Sequence, residues 1–322
     1  MGHRLTITLV LFLPVMAIGQ DCPWWEPPDG TVFNYRVKAE VTNGSVAKED
    51  YPVWLDIHFT NILLSTGIVG ALDTASVRLI ECVEGQDPFP RPCLFEVCAD
   101  FRKVAEARGT LAWLMEGPTA PEQSRTWYVY FDLEENGLKS PGPALDGALL
   151  IQNANNLVAN PSFEVDEDGD GMPDGWDGFV MGIGVDSRAC SLAHWGERSL
   201  IVTASPGDSA GAALLLPGIV SGGLYKAGAY LRVEGPAPEE PKAVIAFPGA
   251  GRAVRFSTEA SLPAPGMWGR SDVVVPAPTG TDTLAIIAWL EASPDTLLLD
   301  DLVVLYSPPT VQLAGSAESL PP

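Results

Sequence analysis

Histidine and positive charge are the scarce ingredients of this chain. Its 322 residues carry 3 His and 19 Lys+Arg against 41 Asp+Glu, a formal net charge of -22. That balance argues against nucleic acid and anionic membrane as partners, because both would be repelled before any specific contact formed. Neutral ligands and cations remain. Past the first residues no stretch reaches the roughly eighteen uninterrupted apolar residues of a membrane span, so no membrane insertion is expected. Neither CxxC nor Cys/His zinc spacing occurs, there is no Gly-rich phosphate loop with GK[ST], and no β/α alternation suggests a barrel.

Hydrophobic residues make up 46% of the chain beside 32 Gly and 29 Pro, a composition that is folded and loop-rich rather than disordered. Residues 1–19, with Arg4, the apolar run Leu9 to Ile18 and the small pair Ala17 and Gly19, read as a signal peptide cut before Gln20. A secreted, extracellular protein is expected. Export would permit disulfides. Among Cys22, Cys82, Cys93, Cys98 and Cys190, spacing favours Cys82 with Cys93 or Cys98 and leaves Cys190 as a buried free thiol.

The pattern between Phe33 and Asp132 alternates and is rich in β-branched residues (FNYRVKAEV, PVWLDIHF, SVRLIECV, GTLAWLM, RTWYVYFD), which predicts a β-sandwich over 29–133. Its ending, RTWYVYFD after a Pro-flanked turn, resembles small β-sandwich modules that precede carbohydrate-active domains. That resemblance implies a spacer or docking role and no transferable site. Residues 134–152 break the periodicity and read as a linker. A second set of apolar or alternating segments over 153–306, from GWDGFVMGIGV to TLLLDDLVVLY, predicts a two-sheet jelly roll. The Pro/Ser-rich 307–322 reads as a disordered tail. The expected fold class is therefore all-β, two β-sandwich domains.

Within LVANPSFEVDEDGDGMPDGW, Asp166, Asp168, Asp170 and Asp174 alternate with Gly169 and Gly171, so several carboxylates can converge on one hard cation while the glycines supply tight turns. The implied ion is calcium. Without a bidentate Glu at position twelve this is not an EF-hand loop; it resembles the aspartate-rich calcium loops of thrombospondin type 3 repeats.

Five landmarks follow in order: NPSFE (160–164) with Gly175 and Trp176, HWGERSL (194–200), GGLYKAGAYLRV (222–233), GMWGRSDVVVP (266–276) and LLLDDLVVLY (297–306). In this order they resemble the CenC-type carbohydrate-binding modules, of the galactose-binding-like jelly-roll group. The resemblance implies a structural calcium where the first and last strands meet, held by Glu164 and by Asp300 or Asp301. It also implies a polysaccharide or glycan as ligand, and a carbohydrate-active enzyme as a partner. Trp195 stands where that family has a small residue, and the acidic loop is an insertion.

Sugars offer apolar C–H faces between hydroxyl rims, so aromatic rings on an open sheet are the natural platform. Strand parity puts Tyr225, Ala227, Ala229, Leu231 and Val233 inward and leaves Tyr230 and Arg232 outward. Trp289 is opposite in parity to Leu284, Ile286 and Leu290, and Trp195 lies in a turn beside His194. These four, Tyr230, Arg232, Trp195 and Trp289, are the candidate ligand contacts. GDSAG (207–211) matches a nucleophile elbow, but no His follows it and His58 belongs to the other predicted domain, so the reading is non-catalytic. A calcium-stabilised adhesive module without sugar specificity, or an accessory part of a glycoside-hydrolase system, are the alternatives.

Overall fold

The computed structural model describes residues 22–181, 186–204, 209–235, 242–248, 252–255, 266–291 and 296–320. The expected export signal and the second half of RAVRFSTEA lie outside these residues. In chain order the first half runs β1 (Tyr35–Thr42), β2 (Lys48–His58), α1 (Phe59–Leu64), β3 (Leu72–Cys82), β4 (Phe89–Arg91), β5 (Cys93–Val97), β6 (Arg108–Thr119), β7 (Ser124–Leu133) and α2 (Gly147–Ile151). The second runs β8 (Trp176–Met181), β9 (Asp186–Cys190), β10 (Ser199–Thr203), β11 (Ser209–Pro217), β12 (Leu224–Glu234), β13 (Lys242–Phe247), β14 (Arg252–Arg255), β15 (Gly269–Pro276), β16 (Thr283–Glu291) and β17 (Thr296–Tyr306), and β18 (Thr310–Leu313) and β19 (Glu318–Ser319) close the chain.

The protein is all-β, built as two antiparallel sandwiches. In the first, a sheet ordered β18-β1-β7-β3-β4, with β19 also on β1, faces β2-β6-β5. In the second, β15-β12-β17-β10-β9 faces β14-β13-β16-β11-β8. Alternation explains both cores: Trp127, Val129 and Phe131 of β7 meet Trp113 and Met115 of β6, and Tyr225, Ala227, Ala229, Leu231 and Val233 of β12 all enter the second core, as parity predicts.

β7 is buried on both faces because the segment after Cys22 lies across the outside of its sheet. Trp24, Trp25 and Phe33 pack there against Ile80, Tyr128 and Tyr130. Arg36 holds that segment, donating to the Cys22 carbonyl at 3.0 Å and stacking over the Tyr128 ring at 4.1 Å. This corrects the expected disulfide: Cys82 bonds Cys22, not Cys93 or Cys98. Cys82 closes β3 in one sheet, whereas Cys93 opens β5 in the facing sheet. Cys190 is free as expected but only half-buried, with its Sγ 3.4 Å from Ser199 Oγ rather than in an apolar setting.

The tail expectation is also overturned. Residues 310–313 and 318–319 are strands paired with β1, so the chain returns to its own first strand. A backbone edge left by β1 was available to be paired, and sequence composition alone does not register that.

The two sandwiches stack face to face. The first core cluster runs on through Trp54 to take in Val303 and Leu305 of β17, with Trp195 packed against it. The sheet β2-β6-β5 therefore covers the outward face of β15-β12-β17-β10-β9, giving four β layers.

Candidate functional site

The stacking decides which sequence candidates can meet a ligand. Tyr230 is outward on β12 as parity predicts, but only 4% exposed. Its hydroxyl donates to Glu96 of β5, and its ring stacks on His194 with centroids 3.7 Å apart. Trp195 lies 5.3 Å from the Tyr230 ring. A Cβ on Gly147 would come 2.8 Å from its indole, so that position of α2 needs glycine. Arg232 bonds Glu234 at 2.7 Å. Tyr230 and Trp195 thus build the joint between the sandwiches, while Arg232 pairs within its own strand. Parity says which side chains leave a core, not what covers them afterwards.

The joint is rich in charge. His194 Nδ1 sits 2.8 Å from Asp301 Oδ2, and Nε2 lies 3.4 Å from Glu96 Oε1. Burial pushes this imidazole down, but the hydrogen bonds to Asp301 and Glu96 outweigh it and lift its pKa to about 9. Asp300 and Asp301 are fully buried at a break in β17, where Asp301 has φ +50°. Asp300 accepts the His194 and Asp301 backbone N–H groups at 2.7 and 2.8 Å. Burial first, then the neighbouring Asp301 charge, holds its carboxyl well above the ordinary range.

Glu164 accepts the Glu197 and Arg198 backbone N–H groups at 2.7 and 2.9 Å, while Asp301 accepts from Ser162 Oγ at 3.0 Å. These three carboxylates staple the 194–198 turn to the opening segment and to β17. Among the described residues they form no cluster of three. The carboxylates that converge are Asp166, Asp168 and Asp174, with oxygens within 4.8 Å of one another. Asp170 stands apart and accepts Met172 N at 2.7 Å. Gly169 and Gly171 take φ +71° and +90°, the left-handed turns the loop needs. Asp166 Oδ1 is buried without a hydrogen-bond partner, and its Oδ2 is 3.7 Å from Arg198.

The outer face of β14-β13-β16-β11-β8 points away from the first sandwich. Ala210, Ala212 and Leu214 of β11 and Leu284, Ile286, Ala288 and Leu290 of β16 fill the core. Their alternates, Gly211, Ala213 and Leu215 with Ala285, Ile287 and Trp289, take the other face, and Leu215 is 53% exposed. Register aligns Phe179, Gly211, Trp289 and Lys242 in one row across four strands. The next row reads Asp177, Ala213, Ile287, Val244 and Arg255. Half-buried Trp289 therefore shares this face with Gly211, Ala213 and Ile287.

Ser209 opens β11, opposite Glu291 in register, rather than an elbow between strand and helix. His58, in the first sandwich, caps α1 and lies 3.2 Å from Glu106. These two do not form a catalytic pair.

No known family model matches this sequence, and neither does any curated protein. Among solved structures, the chain is similar to the CBM22-1 xylan-binding domain of Paenibacillus barcinonensis Xyn10C (20% identity, TM-score 0.38, 48% of this chain and 95% of that one). It is similar to the CBM22-1-CBM22-2 tandem domain of the same enzyme (14% identity, TM-score 0.34, 86% and 80%). It is also similar to the enzymatically active domain of Bacteriophage CBA120 tailspike protein 4 (14% identity, TM-score 0.37, 52% of this chain), of which it spans only 22%. With every TM-score below 0.5, no residue role passes from these proteins to this chain.

Proposed function

We propose that this is a secreted, non-catalytic carbohydrate-binding protein whose second sandwich takes a glycan chain along the outer face of β8, β11, β16 and β13. The observation that carries this reading is Trp289, half-buried and opposite Gly211, on the sheet face turned away from the first sandwich. An indole there can stack on the C–H face of a pyranose, and Gly211 opposite it adds no side chain to obstruct the sugar. A net charge of -22 favours a neutral polysaccharide over an acidic one. A carbohydrate-active enzyme acting on the same polymer is the natural partner.

The test is retention of the full chain on a panel of polysaccharides. Trp289→Ala should weaken binding about five- to ten-fold, on the scale of about 1–1.5 kcal/mol for a lost aromatic contact, while Arg232→Ala changes it less than two-fold. Equal losses in both variants would remove this face as the site. Failure of the folded protein to bind any glycan would favour the adhesive reading.

Calcium belongs to the same proposal, as a brace at Asp166, Asp168 and Asp174. Three hard oxygens on glycine-turned backbone, one of them buried and unpartnered, suit that ion. An ion bound only by the folded state stabilises it by about 2.7 kcal/mol at a hundred times its dissociation constant. Chelation should therefore lower the melting temperature, and Asp174→Asn should abolish the difference. A midpoint indifferent to both chelator and added calcium counts against the brace.

A further inference from the structure

β1 pairs with β7 along one side, and among the described residues its other side is covered by β18 and β19 alone. Ala39, Glu40, Val41 and Thr42 lie opposite Leu313, Gln312, Val311 and Thr310, and Tyr35 and Arg36 opposite Ser319 and Glu318. Ala314 N donates to Lys38 O and Leu320 N to Asn34 O, each at 2.9 Å. The covering segment has one buried apolar anchor, Ala317, with Val311 and Leu313 half-buried against the same core. Thr310, Gln312, Glu318 and Ser319 are exposed. Among the described residues its ion pair is Glu318 to Arg36 at 2.7 Å. Backbone hydrogen bonds at a solvent edge, with few buried contacts, mark a segment that opens before the core does.

Beneath it, β1 is self-complementary. In an antiparallel pair of two β1 strands centred on Ala39, Val37 falls opposite Val41, Lys38 opposite Glu40 and Arg36 opposite Thr42. The pairing repeats on both sides of the two-fold axis. Lys38 and Glu40 keep side chains 40% and 45% exposed, so two opposite-charge cross-strand pairs would form, the favourable arrangement for an edge-to-edge sheet. Val37, Ala39 and Val41 already line the core, so the joined sheet would keep one continuous inward face.

We propose that residues 310–320 are a removable strap, and that lifting them frees β1 to pair with β1 of a second copy. The strap is then the device that keeps this edge from self-association.

The experiment compares the full chain with a chain ending at Ser307 by sedimentation equilibrium. The full chain should be monomeric and the shortened one dimeric, returning to monomer when a peptide of residues 307–320 is added. Lys38→Glu in the shortened chain puts Glu opposite Glu twice and should raise the dimer dissociation constant ten-fold or more. Lys38→Glu with Glu40→Lys should restore it. A folded, shortened chain that stays monomeric, or a dimer indifferent to Lys38→Glu, overturns the proposal. Should the shortened chain fail to fold, Val311→Pro with Leu313→Pro in the full chain lifts the strap without removing it. Dimerisation sensitive to Lys38→Glu supports the proposal there, and a monomer overturns it.

Discussion

Replacing Asp272 with asparagine should destabilise the protein by about 3 kcal/mol, among the largest effects of any single substitution, because it strands a buried cation. Arg270 has a side chain only 4% exposed. Its guanidinium lies 4.4 Å from the Trp54 ring, which belongs to the other sandwich. Asp272 receives Arg270 Nη2 at 2.9 Å and Nε at 3.3 Å, and Lys226 Nζ at 3.5 Å. Burial alone would raise this carboxyl, but Arg270 and Lys226 outweigh it and hold it below the usual range. The close fit extends to Gly228, where a Cβ would fall on Asp272 Oδ1. Asparagine keeps the shape and removes the charge, leaving two cations and an Arg270 Nη1 that already lacks a partner. Urea unfolding of Asp272→Asn beside the double variant Arg270→Met, Asp272→Leu decides it. The single change should be the worse of the two, since the double leaves no unpaired charge in the joint. A single variant within about 1 kcal/mol of the parent would mean that water solvates Arg270 despite the covering tryptophan.

That joint is also where the sequence stops being legible. Strand parity, a local property, places Tyr225, Ala227, Ala229, Leu231 and Val233 in the core and sends Tyr230 and Trp289 outward. It cannot distinguish a face left to solvent from one covered by a sheet made more than a hundred residues earlier, and Tyr230 and Trp289 part company on that point. The acidic loop is legible for the same reason, since its turns and carboxylates lie within nine residues of chain. LLLDDLVVLY reads as one apolar strand, yet β12 shifts register against it between Gly228 and Tyr230. The irregularity at Asp300 and Asp301 aims both carboxylates at the His194 turn. The Cys22–Cys82 bond and the return of residues 310–319 to β1 depend on which chain ends meet in space, and no local pattern encodes that.

Stability should fall as pH rises from about 6.5 to 9, and His194→Gln should flatten that fall. The folded imidazole titrates near 9 against an ordinary 6.5, so the folded chain binds the extra proton across that interval. Its stabilisation is fully present below pH 6.5 and lost as pH passes through 9. At about 1.4 kcal/mol for each pH unit between the two values, the loss is about 3 kcal/mol. His194 is 13% exposed in its side chain, and its surroundings are Asp301, Asp300, Glu96 and the rings of Tyr230, Trp195 and Trp268. Asp300 acts in the same sense: with its folded pKa raised, it holds a proton that the unfolded chain releases near pH 4, and that contribution too is lost as pH rises. Melting temperatures from pH 6 to 10 should slope downward in the parent and less steeply in His194→Gln. Parallel profiles would mean that folding does not raise the imidazole pKa. Because Glu96 alone brings the first sandwich to this imidazole, Glu96→Gln should shift the descent to lower pH, and Tyr230→Phe, which removes a hydrogen bond but no charge, should leave the slope where it was.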